Sequence, residues 1–183
     1  DNIKFKATSE RIEKKEVAEE AVAKVVVGAS ARVAKVEAKE TKEQPPLLFD
    51  LTSLQQDANK KYGYSADQTV NIAQTLYEKK AITYPRTGSR YIGEDVFEKI
   101  EELFQHLADT AEESIAAISR NLIGAKLNKR SVDEKKVTDH HALLVTEEKP
   151  GPLNKEQQHI YNMIAKRMVE SFSEVCLKDI TTV

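Results

Sequence analysis

The segment Ile82-Thr83-Tyr84-Pro85-Arg86-Thr87 sets a phenolic hydroxyl two residues from a guanidinium, with a proline between them. A residue before proline is pushed out of the α region into extended backbone. In extended backbone, residues i and i+2 project to one face, about 6.5 Å apart. Tyr84 and Arg86 can therefore reach one phosphate together. That layout suits a tyrosine that attacks a phosphodiester while a fixed cation holds the charged oxygens. A free tyrosine has a pKa of about 10, so only about one in 10³ is ionised at pH 7, a deficit of roughly 4 kcal/mol. A general base, a nearby cation or a metal-bound phosphate must make this up. Arg86 keeps its charge and can grip phosphate through two N–H groups. His140 is the candidate to relay a proton or donate to a phosphate oxygen. Attack makes a phosphotyrosyl ester, which resembles the bond broken, so breakage and rejoining need no ATP.

These residues also admit plainer readings. A lone tyrosine is usually core or interface, and Tyr-Pro-Arg also fits an ordinary proline turn. Adjacent residues in a strand point to opposite faces, so only one of His140 and His141 can face the tyrosine. For the same reason they make a poor two-ligand metal site. Glu78, six residues before Tyr84, is either a partner for Arg86 or a solvated surface glutamate.

The elements that must hold this segment follow from periodicity and punctuation. Residues 3–8 read as a short strand, and residues 14–27 as a helix with Ala18, Ala21, Val22 and Val25 on one side. Residues 30–42 read as a strand with a bulge near 33–34, and Pro45-Pro46 ends that piece. A short helix at 53–61 and a turn at Gly63 lead to Ser65-Ala66-Asp67-Gln68, which has the pattern of a helix start. That helix runs to about Lys80, with Ala66, Val70, Ala73 and Tyr77 facing inward and Lys79-Lys80 in its last turn. The tyrosine lies on the connector leaving it. Helices are expected at 93–107 and, from a start at Thr110-Ala111-Glu112-Glu113, to about Ile123. Residues 124–137 read as irregular, Thr138 to Val145 as extended, Asn154 to Phe172 as a helix, and 175–183 as a strand. Tyr161, Ile164, Met168 and Phe172 form the buried stripe of that last helix. The order predicts an α+β fold, a mainly helical domain inserted in a partial β-containing one. Its divisions are 1–46 (strand-helix-strand), 47–173 (helical) and 174–183 (return strand).

Composition narrows the class. One cysteine, Cys176, excludes a disulfide framework and a cysteine-rich zinc site, and fits a reducing, cytoplasmic setting. No run of about 18 apolar residues predicts a membrane span. The chain starts at Asp1 without methionine and stops at Val183 inside an apolar, β-branched run, which reads as a piece of a longer protein. Net charge is −2, but it is uneven: six Lys/Arg face four Asp/Glu over 49–92, two face eight over 93–120, and five face three over 121–141. The two basic stretches suit a nucleic-acid surface with the acidic helices turned away. Glu-rich helices that are merely solvated account for the same numbers.

Three blocks together resemble type IA DNA topoisomerases. Leu76-Tyr77-Glu78 followed by Ile82 to Thr87 resembles the family's active-site segment. Pro45-Pro46-Leu47-Leu48-Phe49-Asp50-Leu51-Thr52-Ser53-Leu54-Gln55-Gln56-Asp57-Ala58 resembles the entry to the same domain. Asp139-His140-His141-Ala142-Leu143-Leu144-Val145-Thr146 resembles its histidine segment. The order and spacing agree over essentially the whole chain, and the bacterial topoisomerase III branch is the nearest.

The resemblance implies an ATP-independent enzyme that cuts one DNA strand through a 5′-phosphotyrosyl link, passes a strand and religates. It implies Tyr84 as nucleophile, Arg86 on the scissile phosphate, His140 as the family histidine, and Glu78 and Thr83 in support. DNA contacts fall to Arg86, Thr87, Ser89 and Arg90, and further upstream to Ser53 and Gln56. Two departures stand out: Gly88 replaces the usual Asp after Arg-Thr, and Val145 replaces the usual Pro of the histidine segment. The family binds Mg2+ through an acidic D-x-D cluster, and no D-x-D occurs here. The chain alone is therefore expected to hold no metal and cleave no DNA. Single-stranded DNA is the expected partner, with a helicase possible for the longer protein and no membrane. Tyrosine recombinases place their tyrosine after the Arg and His residues, and relaxases need His-x-His, so both fit poorly. A non-catalytic single-stranded-DNA-binding module of the same fold is the alternative, kept alive by Gly88.

Overall fold

A computed structural model describes residues 8–25, 28 and 32–182. Contacts divide the chain into two compact units, Asp1–Lys39 with Asp179–Val183, and Glu40–Lys178. In the first, helix α1 (Lys15–Ala23) buries no residue, and Val22 is 71% exposed. The expected stripe of Ala18, Ala21, Val22 and Val25 therefore covers nothing among the described residues; only Ala18 is partly buried. Strand β1 is Glu37–Glu43 and pairs with β2, Cys176–Thr182, in a two-stranded sheet. Residues 32–36, expected in the strand with their bulge, are irregular. The strand expected at 3–8 falls on residues outside those described, apart from Thr8, which is irregular.

The second unit holds the remaining helices between the two strands, so the architecture is α+β as expected. Helix α2 (Leu51–Tyr62) starts two residues earlier than its apolar pattern suggests, because Asp50 and Ser53 cap it reciprocally. The Asp50 carboxylate accepts from Ser53 N at 2.7 Å, and the Ser53 hydroxyl accepts from Asp50 N at 3.2 Å. Gly63 closes the helix at φ 73°, a left-handed conformation that glycine adopts without a Cβ clash. Helix α3 (Ala66–Glu78) opens on Ser65, whose side chain accepts from Gln68 N. Its buried residues are Thr69, Val70, Ile72, Ala73 and Leu76. The expected inward stripe is thus corrected: Ala66 and Tyr77 face solvent, because the apolar face centres on Ile72, Ala73 and Leu76.

The single helix expected at 93–107 is two, α4 (Glu94–Phe97) and α5 (Ile100–Thr110). A turn at Glu98-Lys99 separates them, and Phe97 packs on Phe172 at a ring separation of 5.9 Å with the Lys129 ammonium 4.5 Å over its face. Tertiary contacts at Phe97 override a continuous apolar period. Because α5 runs to Thr110, that residue ends a helix rather than starting one, and its hydroxyl donates back to His106 O at 2.7 Å. Helix α6 spans Glu113–Leu122 without a side-chain cap.

Helix α7 (Lys155–Phe172) is the axis of the core. Asn154 and Gln157 form its capping box, and Ile160, Ile164, Met168 and Phe172 are fully buried. Phe104 of α5 meets Phe172 edge-on at 5.9 Å. At the α7 start, His159 stacks on Tyr62 at 4.0 Å and shares a 2.8 Å hydrogen bond with the Tyr64 hydroxyl, tying the α2–α3 turn to α7.

Tyr161 is 3% exposed, and its hydroxyl has no partner among the described residues. Burial pushes its phenol up to about 12. A raised folded-state value favours the neutral form, so the chain loses stability as pH rises from about 10 through about 12. Tyr161→Phe should remove that alkaline loss and leave stability at pH 7 unchanged or higher by about 1–2 kcal/mol. Urea unfolding at pH 7 and pH 11 checks both; a destabilised variant at pH 7 would mean that the hydroxyl has a partner after all.

Candidate active site

The tyrosine segment begins where α3 ends, and the ending is a Schellman turn. Ala81 N donates to Leu76 O at 2.9 Å and Lys80 N to Tyr77 O at 2.8 Å, the crossed pair of bonds that defines the motif. Lys80 takes the left-handed position at φ 58°, which glycine usually fills. Ala81 and Leu76, the hydrophobic partners of the motif, are both fully buried. Thr146 fastens the turn twice, its hydroxyl donating to Lys80 O and its amide to Ala81 O.

Beyond the turn, residues 81–92 and 140–146 run alongside each other, outside any regular sheet. Thr83 N donates to Leu144 O at 3.0 Å. The Thr83 hydroxyl accepts from Leu144 N at 3.0 Å and donates more weakly to Ala142 O at 3.4 Å. Thr87 donates its hydroxyl to His140 O at 2.9 Å, and Ala142 N donates to Tyr91 O at 2.9 Å. Isolated antiparallel bridges join Ile82 to Val145 and Phe49 to Leu143. The extended piece expected at Thr138 to Val145 is thus present as a pairing segment without a strand of its own. Helix α2 adds a third support, since Leu51 N, an amide left free at its first turn, donates to Thr87 O at 3.0 Å.

This stitching sets the side chains. Burial alternates from Pro85 to Ser89: Pro85, Thr87 and Ser89 are buried, while Arg86 and Gly88 are exposed. Tyr84 and Arg90, in phase with Arg86, are partly exposed. Tyr84, Arg86, Gly88 and Arg90 therefore share the outward side. The Tyr84 ring lies against His140 at 4.4 Å, tilted 49°. On its other contact Tyr77 meets it edge-on at 5.4 Å and 79°. His141 is partly buried, with Nδ1 2.7 Å from Ala142 O, and makes no such contact with the tyrosine. Arg86 is exposed, and no carboxylate among the described residues pairs with it. Glu78 accepts from Gln74 Nε2 at 3.1 Å and forms no ion pair with Arg86 among the described residues.

The other expected site residues fall into two groups. Arg90 remains at the surface, its Nε donating to Leu48 O at 3.1 Å. Gln56 is exposed, whereas the Ser53 hydroxyl is taken up by the α2 cap. Thr87 and Ser89 are buried, which corrects their placement on a DNA-facing surface. Ser89 Oγ donates to Lys136 O at 3.0 Å and accepts from Tyr91 N at 3.1 Å, and Thr87 Oγ1 accepts from Ser89 N at 3.1 Å. Both side chains brace the segment from inside. Tyr77 is the site residue that the sequence reading misplaced. Its signal was the phase of Ile72, Ala73 and Leu76, which puts Tyr77 beyond the edge of the apolar face. No group of three His, Cys, Asp or Glu side chains among the described residues could hold a metal ion.

A family model described as DNA topoisomerase matches residues 1–183. A DNA topoisomerase 3 of Shouchella clausii is 36% identical over 151 residues, which cover 81% of this chain and 21% of the relative. One of Bacillus thuringiensis is 41% identical over 147 residues, covering 76% of this chain and 20% of the relative. The chain thus spans about a fifth of the length of the curated relatives it matches. Among solved structures, full-length topoisomerase I from Thermotoga maritima superposes with a TM-score of 0.62 at 24% identity, over 96% of this chain and 28% of that one. That likeness bears on the fold.

The Thr83 hydroxyl is the joint most exposed to a single change. Thr83→Val leaves the buried Leu144 N–H without an acceptor and should destabilise the chain by about 1–3 kcal/mol. Thr83→Ser keeps the oxygen and should recover most of the loss. Urea midpoints of the three proteins decide it, and a Val variant as stable as the parent would show that the hydroxyl is not what joins the two segments.

Proposed function

The chain belongs to the type IA DNA topoisomerase family, and we propose that within a longer protein it supplies the tyrosine that cuts and rejoins one DNA strand. The observation that carries this reading is the Tyr84 ring seated against His140 on the face that also bears Arg86. In the proposed reaction the Tyr84 oxygen attacks a backbone phosphorus. A phenolic O–P bond forms and the bond to the 3′-oxygen breaks. The phenolic proton passes to a base, and the departing 3′-oxygen takes up a proton. The 5′-phosphate is left on Tyr84, and attack by the 3′-hydroxyl reverses every step without ATP. Another strand passes while the break is open.

Arg86 is available for this work because nothing among the described residues neutralises it, so its fork can bind two phosphate oxygens as charge builds on them. His140, whose ring lies 4.4 Å from that of Tyr84, is the candidate to hold or move the proton at the phenol or a phosphate oxygen. Thr83, Thr87 and Ser89 act by fixing the backbone on which Tyr84 and Arg86 ride. Glu78 lies beside the segment in a cleft with Tyr77 and Thr83, as a supporting acid. On this reading Mg2+ would be bound by residues elsewhere in the longer protein. The residues described here do not fit a metal, and no step above runs through one. The partner is single-stranded DNA in the cytoplasm.

The test is a denaturant-quenched reaction of the complete protein with an end-labelled single strand. The parent should leave label covalently attached through a 5′-phosphotyrosine, Tyr84→Phe none, and His140→Ala should slow adduct formation by about 10²-fold or more. This chain by itself should form no adduct. A Tyr84→Phe protein that still captured the strand would end the assignment, and tight binding with no adduct from the parent would point to a non-catalytic module.

A further inference from the structure

The outward side of the tyrosine segment does not end at Arg86. Arg90 lies two outward steps further on, about 13 Å along extended backbone. Between them Gly88 adds no charge, and a Cβ there would meet nothing within 4 Å, so neither an acid nor bulk interrupts the interval. Arg90 Nε donates to Leu48 O at 3.1 Å, while Arg167 Nη1 of α7 donates to Leu47 O at 3.2 Å. Two guanidiniums are thus anchored on successive carbonyls of one linker. Arg167 is paired with Asp57 and Glu170, whereas no carboxylate among the described residues pairs with Arg90, so of the two it is Arg90 that is left to take a phosphate.

The line of charge continues past Arg167. Its guanidinium lies 3.9 Å over the Phe49 ring and lines a cleft of about 450 Å³ with Lys60, Lys61 and Lys166. The two carboxylates of this cleft are engaged by Arg167, Asp57 at 2.7 Å and Glu170 at 3.9 Å. Lys60 and Lys61 lie in the last turn of α2, both are exposed, and no carboxylate among the described residues pairs with either. Cations near a helix C-terminus are favoured by its dipole, which accounts for a lysine there but not for Arg90 and Arg167 side by side.

We propose that a single-stranded DNA backbone continues from the phosphate at Arg86 across Arg90 to the lysines of the α2–α7 cleft. This deepens the reading of Tyr84 as the nucleophile and rests on it for the place where the strand enters. The contacts are to phosphates, so the track holds a strand without reading its bases. Its lysines would keep the strand aligned beside the tyrosine.

Binding is read by fluorescence anisotropy of a fluorescein-labelled oligodeoxythymidine with this 183-residue chain across a salt series. Lys60→Glu/Lys61→Glu should weaken binding at least tenfold, and its log–log salt slope should be shallower by about 1.4, two single-strand phosphate contacts. Lys99→Glu/Lys149→Glu carries the same charge change at exposed positions elsewhere and should stay within twofold. The milder Lys60→Gln/Lys61→Gln should show an intermediate loss, and it keeps the test valid if charge reversal disturbs α2. Equal losses from the two reversed pairs, or a Lys60/Lys61 variant that binds like the parent, overturns the track. Covalent adduct formation by the complete protein is measured apart from this binding, so failure of the track and failure of the tyrosine chemistry are read separately.

Discussion

A buried peptide group that finds no hydrogen-bond partner costs about as much as a broken bond. Residues 81–92 and 140–146 lie largely inside the second unit without forming part of a helix or a strand, so each depends on the other for partners. Thr83 answers Leu144 in both directions, Tyr91 answers Ala142, and Thr146 answers Ala81. The proximity of Tyr84 to His140 follows from this mutual satisfaction. No direct bond between the two side chains is needed, because their backbones are already paired on either side of them. Hydroxyls serve this role well because each can donate and accept at once, which is why Thr83, Thr87 and Ser89 recur along the segment.

Much of the layout could be read from short-range pattern. The α7 stripe through Tyr161, Ile164, Met168 and Phe172 is a local period and appears as expected. The two-residue alternation around Pro85 is likewise local, and it places Tyr84 and Arg86 on one side as the spacing suggested. What failed depended on distant residues. Phe97 belongs to a continuous apolar run in sequence, yet its contacts with Phe172 and Lys129 split that run into two helices. Thr87 and Ser89 look like surface polar residues next to an arginine, but their partners, His140 and Lys136, lie about fifty residues away. Tyr77 was misplaced for a different reason. A one-residue error in the phase of a helix stripe moves a side chain by about 100°, enough to turn a residue of the active-site face into an imagined core residue.

The exit from α3 shows how little of the chain determines the direction of the nucleophile. One left-handed residue, Lys80, reverses the path of the backbone so that Ala81 tucks under Leu76 and Tyr84 emerges beside Tyr77. A left-handed lysine costs of the order of 1 kcal/mol relative to glycine, and Thr146 holds the turn from the histidine side. The helix that carries Tyr77 and the segment that carries His140 therefore meet at the same turn. Gly88 makes the opposite contribution. It is exposed, has no positive φ and meets no neighbour, so backbone geometry does not require a glycine there. The departure from the usual acidic residue changes the charge of the outward face and leaves the frame beneath it alone.

The pairing of 81–92 with 140–146 also has a consequence in time. The two halves of the site are 56 residues apart in the chain, and neither half has a strand or helix of its own to hold it before the other arrives. At roughly 5–20 residues per second, a ribosome delivers Tyr84 some 3–11 s before His140. During that interval the segment has helix α2 and the α3 turn beside it, but its main acceptors and donors have not yet been made. The nucleophile of this chain therefore cannot be held in place before residues 140–146 are made, later than the helices α2 and α3 that precede it can already have formed.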